Sequence, residues 1–142
     1  MKLRKSLLAT AVAVAGLSVP LMASPAAADE MAAGSCSVTG AHGAFTGFFV
    51  SSTKIDPLRL RVVDTEADGH HVAVRLVTVE NDGDHIAWNW RHYYGGAGGE
   101  DTWDTYASSS NGIAAVRVQA GVFEGNDLLK ICSSTLRYNP YT

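Results

Sequence analysis

Cysteine, proline, basic charge and long apolar runs are all scarce in this 142-residue chain, and each shortage closes off a class of explanation. Two cysteines, Cys36 and Cys132, leave room for one disulfide at most. Apart from the first 28 residues no apolar stretch is long enough to cross a membrane as a helix. Residues 29–142 hold eight Lys and Arg against fourteen Asp and Glu, a formal charge of −6, and the basic residues are scattered singly. Such a surface repels phosphate backbones and anionic bilayers, so neither nucleic acid nor membrane is expected as a partner. No stretch keeps a helical period, no G-x-S-x-G elbow is present, and the glycine run Gly95–Gly99 lacks the lysine and following helix of a phosphate loop.

What is present begins with a secretory signal. Lys2, Arg4 and Lys5 precede an apolar stretch from Leu7 to Leu21, and Ala26-Ala27-Ala28 supplies small residues for cleavage before Asp29. The expected mature protein is one domain, 29–142, released outside the cell. In that oxidising setting Cys36 and Cys132 are expected to pair. A bridge closing roughly 100 residues is worth about 4–5 kcal/mol through chain entropy.

The remaining chain alternates with period two. Leu58, Leu60 and Val62 oppose Arg59 and Arg61; Val72, Val74 and Leu76 oppose Ala73, Arg75 and Val77; Val116, Val118, Ala120 and Val122 oppose Arg117, Gln119 and Gly121. Asp68-Gly69, Asp82-Gly83 and Asn111-Gly112 carry the residues of tight hairpin turns, and Gly125-Asn126 adds another turn. Residues 29–35 show no period and are expected to be a loose lead-in, and Asp56-Pro57 a break before the next strand. Seven or eight short strands follow from this spacing: an all-β, antiparallel β-sandwich or small β-barrel.

The aromatic stretch Ile86–Tyr94 is the expected place of any binding surface. As one continuous strand it would put Ile86, Trp88, Trp90 and His92 on one face and Ala87, Asn89, Arg91 and Tyr93 on the other. Trp88 and Trp90 then form either a core anchor or a stacking platform. The Arg91, Tyr93 and Tyr94 side, with the glycine loop behind it, becomes the exposed binding surface. Of the five histidines, His42, His70, His71, His85 and His92, no two have the local spacing of a metal site, and no metal or cofactor is expected. Asp82, Asp84, Glu100, Asp101 and Asp104 fall in turn-rich segments that bury no carboxyl as a general acid requires, and no catalytic residue is assigned.

Three segments, Asp64–Arg75, the strand around Arg117 with its Gly-Asn-Asp turn and Cys132, and the terminal Asn139–Thr142, together resemble a group of small secreted actinobacterial proteins ending in Asn-Pro-Tyr. That group carries further cysteines where this chain has Glu66, Ala67, Gln119 and Ala120, and the resemblance implies a small secreted β-protein without an activity to transfer. Trp90-Arg91-His92-Tyr93 is also similar to the Trp-Arg-Tyr loop of secreted amylase inhibitors, with a histidine inserted. The expected function is a non-enzymatic binding or inhibitory module for an extracellular protein or polysaccharide. An antimicrobial or toxin-like protein and a small extracellular hydrolase are the alternatives.

Overall fold

The computed structural model describes residues 29–142; the segment 1–28, expected to be a signal peptide, lies outside the described residues. Among the described residues ten strands follow one another, where seven or eight were expected: β1 (Glu30–Val38), β2 (Ala41–Ser51), β3 (Lys54–Asp64), β4 (His71–Val79), β5 (His85–Ala87), β6 (Arg91–Tyr93), β7 (Glu100–Ser108), β8 (Ala115–Glu124), β9 (Asp127–Ser133) and β10 (Arg137–Tyr138). Strands β1-β2-β3-β7 make one antiparallel sheet. In the second, β4 and β8 form the centre, β5 and β6 pair with the outer edge of β4, and β9 and β10 pair with the far edge of β8. The all-β sandwich is therefore as expected.

The core lies where the alternating apolar residues of the two sheets meet. Phe45 and Phe49 of β2 and Leu58, Leu60 and Val62 of β3 face Val72, Val74 and Leu76 of β4 and Val116, Val118 and Val122 of β8. Each is essentially fully buried, and such side chains contribute about 1.5–3 kcal/mol apiece by leaving water. Gly43 marks a close approach of the sheets, since a Cβ there would stand 2.6 Å from the Ala120 methyl carbon.

One side of the sandwich is stapled. Cys36 on β1 and Cys132 on β9 form a disulfide across the two sheets, with their Cα atoms 5.8 Å apart. The carboxy-terminal Asn-Pro-Tyr-Thr fastens one end: the Asn139 side-chain amide donates to the carbonyls of Ser51 (2.9 Å) and Ile113 (2.8 Å), while its oxygen accepts from the Tyr141 N–H at 3.0 Å. Glu80, also buried, accepts from Ser109 and from Asn111 Nδ2, which ties the β4–β5 turn to the β7–β8 loop.

Four sequence-based expectations are corrected. Residues 30–35 belong to β1, because pairing with β2 orders a segment too rich in Ala, Gly and Ser to show a period. Asp56-Pro57 is a cis bond inside β3, at a register shift between Ile55 and Leu58, not a strand boundary. Asp68-Gly69 and Asn111-Gly112 are turns but not hairpins: each carries the chain from one sheet to the other. Asp82-Gly83 does close a hairpin, with the Glu80 N–H bonded to the Asp84 carbonyl at 2.8 Å.

Candidate functional site

The aromatic stretch is not one strand. Residues of β5 pair with β4 so that paired numbers total 164 (Val77 with Ala87), and the Trp88 N–H still follows this register in donating to Leu76. In β6 the total is 165 (Val72 with Tyr93). One extra residue thus lies between Trp88 and Arg91, a bulge, and every side chain after it changes face.

The expected partition of the stretch fails for this reason. Ile86 and Trp88 share the inner side of their edge strand with Arg91 and Tyr93, whereas Trp90, His92 and Tyr94 stand on the outer face of the second sheet. Neither Trp88 nor Trp90 belongs to the buried core. Trp88, 37% exposed, donates its indole N–H to Thr78 Oγ1 at 3.2 Å and covers the unstapled edge between the sheets. A cleft of about 110 Å³ opens there among Leu58, Leu60, Leu76, Trp88 and Arg91. Tyr93, assigned above to the binding surface, is half-buried and packs against the core. Its hydroxyl fills the space that a Cβ on Gly95 or Gly99 would need, so those glycines of the loop serve to admit the ring.

The outer face holds a different cluster. Register sets His71 of β4 opposite Phe123 of β8, with Ala73, Arg75 and Val77 following on the same face. The Tyr94 ring lies 4.3 Å from that of His71, the His92 ring 5.1 Å from it, and the His92 and Tyr94 rings 6.0 Å from each other. Trp90 meets the Phe123 ring edge to face at 5.2 Å, and the Arg75 guanidinium sits over the Trp90 ring at 4.3 Å. His71 Nε2 and His92 Nδ1 are 3.0 Å apart, one donating to the other, which requires at least one neutral ring. Burial chiefly, then His92, pulls His71 below the ordinary imidazole value; Glu124 opposes this and His70 adds to it. Tyr94 is 73% exposed and forms one wall of an open trough of about 470 Å³ between the β3–β4 and β6–β7 loops, which Asp64, Glu66, His70 and His71 also line.

The remaining candidates are held in structural pairings. Arg59 binds Asp104 through two bonds, 2.7 and 3.2 Å, which lowers the Asp104 carboxyl and raises the guanidinium. Arg61 is bonded to Glu100. Ser109 is bonded to Glu80. Among the described residues no three His, Cys, Asp or Glu side chains converge as a metal site would need. The sequence pointed to Trp90 and Tyr94 but gave no sign of Arg75 beside Trp90 or of the meeting of His71 with His92. That pair is 21 residues apart and arises only from the register of β6 on β4.

Comparison with protein-family models, with curated proteins and with solved structures finds no match.

Proposed function

We propose that this is a secreted, non-enzymatic binding module whose ligand is an extracellular polysaccharide, received on the outer face of the second sheet. The observation that carries the reading is the exposed Tyr94 ring, set against His71 and stacked with His92 at the rim of a wide, open trough. Pyranose rings present flat C–H faces to aromatic side chains and hydroxyls to carboxylates and imidazoles, and both kinds of group are set side by side here. The trough is open rather than enclosed, which suits a chain better than a small buried ligand. The disulfide fits a protein that works outside the cell.

The test is a polysaccharide panel read by tryptophan emission and by retardation in polysaccharide-loaded native gels. Wild type is expected to shift its emission and be retarded by at least one polymer, and Tyr94→Ala to lose both responses with no change in thermal midpoint. If no polymer produces either response at milligram-per-millilitre concentrations, the reading is wrong.

A further inference from the structure

The two outer faces of the sandwich treat arginine in opposite ways. On the first sheet the outward arginines are bonded to carboxylates: Arg59 to Asp104, directly across from it, and Arg61 to Glu100, diagonally across. On the second sheet Arg75 stands across from Gln119, and Arg117 from Val77. Arg75 Nε donates to the Gln119 amide oxygen at 2.8 Å, and the Gln119 amide donates onward to Ser133. Arg117 makes no hydrogen bond or ion pair among the described residues, and its Nε is buried without a partner.

The register places Arg75 and Arg117 as diagonal neighbours on one face of a central strand pair, about 7–8 Å apart at the backbone. The strand positions of this face, from His71, Ala73, Val77 and Val79 across to Ala115, Gln119, Gly121 and Phe123, include no Asp or Glu. At its aromatic end Glu124 is bonded to His70, and Asp64 and Glu66 line the trough beyond Tyr94. The buried Arg117 N–H without an acceptor is costly, and neither guanidinium has a carboxylate partner. Residues 29–142 carry fourteen carboxylates and a formal charge of −6, yet pair neither arginine with one.

We infer that an anionic group of the ligand completes this pair, and that the polysaccharide is an acidic one whose uronate carboxylate lies between Arg75 and Arg117 while neighbouring sugar rings run toward Trp90 and Tyr94. This deepens the binding function proposed above and rests on it. The guanidinium is a planar fork that matches a carboxylate with two parallel hydrogen bonds. Trp90 holds the Arg75 fork in place from one side, so little freedom is lost on binding. The overall negative charge does not forbid this, because repulsion from distant carboxylates is screened within about 8–10 Å at physiological salt.

The experiment titrates polygalacturonate, dextran, dextran sulfate and duplex DNA onto the mature protein and onto Arg75→Met, Arg117→Met and Lys54→Gln. Polygalacturonate is expected to bind wild type more tightly than the other three. Each arginine variant is expected to weaken polygalacturonate binding by about tenfold or more. Lys54→Gln, which removes the same charge from the other sheet, is expected to leave it unchanged. Arg117→Met is further expected to melt no lower than wild type, since it removes an unsatisfied buried N–H; a merely structural arginine would melt lower. Unchanged binding by Arg117→Met, equal weakening by Lys54→Gln, or equal affinity for dextran sulfate or DNA each overturns the inference. If dextran binds through Tyr94 as tightly as polygalacturonate does, and the arginine variants bind both normally, the polysaccharide reading stands and the acidic ligand falls. If none of the polymers binds, the broader reading falls first.

Discussion

Replacing Asn139 is the sharpest test of how the fold is held. Its side chain is 4% exposed and satisfies three backbone groups: it donates to the Ser51 carbonyl at the end of β2 and the Ile113 carbonyl before β8, and accepts from Tyr141. It therefore joins both sheets and the chain end through one amide. Asn139→Ala removes three hydrogen bonds worth about 1 kcal/mol each. The expected loss is about 3 kcal/mol, or roughly 12 °C in melting temperature at about 4 °C per kcal/mol for a domain of this size. Asn139→Asp keeps the acceptor for Tyr141 but aims a carboxylate at two carbonyl oxygens, so it is expected to be worse than alanine at neutral pH. That carboxyl would have a folded pKa above its unfolded value. Its protonated form is the tolerated one, and the deficit of Asn139→Asp should shrink as pH falls through the folded pKa. Urea unfolding followed by tryptophan fluorescence between pH 4 and 8 measures both effects. A loss below about 1 kcal/mol for Asn139→Ala, or an Asp deficit independent of pH, refutes the clasp.

Three further outcomes are expected. Cys36→Ser with Cys132→Ser should lower stability by about 4–5 kcal/mol, the chain-entropy value for residues 96 apart, measured by urea unfolding; a loss under 1 kcal/mol would show that the staple restrains an already compact unfolded chain. Because the folded His71 pKa lies below its unfolded value of 6.5, its contribution is whole above that pH and is lost as pH drops through 6.5 toward the folded pKa. His71→Asn should therefore flatten the pH dependence of stability between pH 7 and 5, and parallel curves for the two proteins would contradict the assignment. Gly99→Ala puts a methyl group where the Tyr93 hydroxyl lies and should cost about 1–3 kcal/mol, while Gly99→Ala combined with Tyr93→Phe should recover part of it in thermal melts.

The sheets were legible in the sequence because β3, β4 and β8 alternate so regularly that one face of each could only be core. The disulfide was legible from compartment and number. Connectivity was not. Gly69 and Gly112 sit at φ of 76° and 85°, as the turn residues promised, but φ fixes a local reversal and not the sheet that the next strand joins. That choice belongs to the burial of whole faces. Tyr93 and the glycine loop illustrate a second limit: GGAGG looked like a flexible display loop, yet Gly95 and Gly99 lie against one ring, a contact that no local pattern announces. The cross-strand meeting of His71 with His92, and the unmatched state of Arg117, depend on register with distant strands in the same way.

The bulge is the remaining illegible element, and its arithmetic makes a prediction of its own. It has no glycine and no positive φ to betray it, since every positive-φ residue among those described is a glycine outside 88–91. Deleting Asn89 moves Arg91 to the place of residue 90, and the register total for β6 falls from 165 to the 164 of β5. The pairings of Val74 with Arg91 and Val72 with Tyr93 are then kept, and β5 and β6 become one continuous strand. Every side chain retains its face: Ile86, Trp88, Arg91 and Tyr93 inward, and Ala87, Trp90, His92 and Tyr94 outward. The deletion should therefore fold, keep Trp90 over Arg75, and alter only the cleft that Asn89 helps to line. A point substitution cannot make this distinction, because it leaves the residue count intact. Thermal melts and the His71 and Tyr94 ring resonances report the result. Loss of the folded state, or a Tyr94 ring no longer shifted by His71, would mean that the extra residue is required for the strand to bend across the sheet edge rather than merely accommodated there.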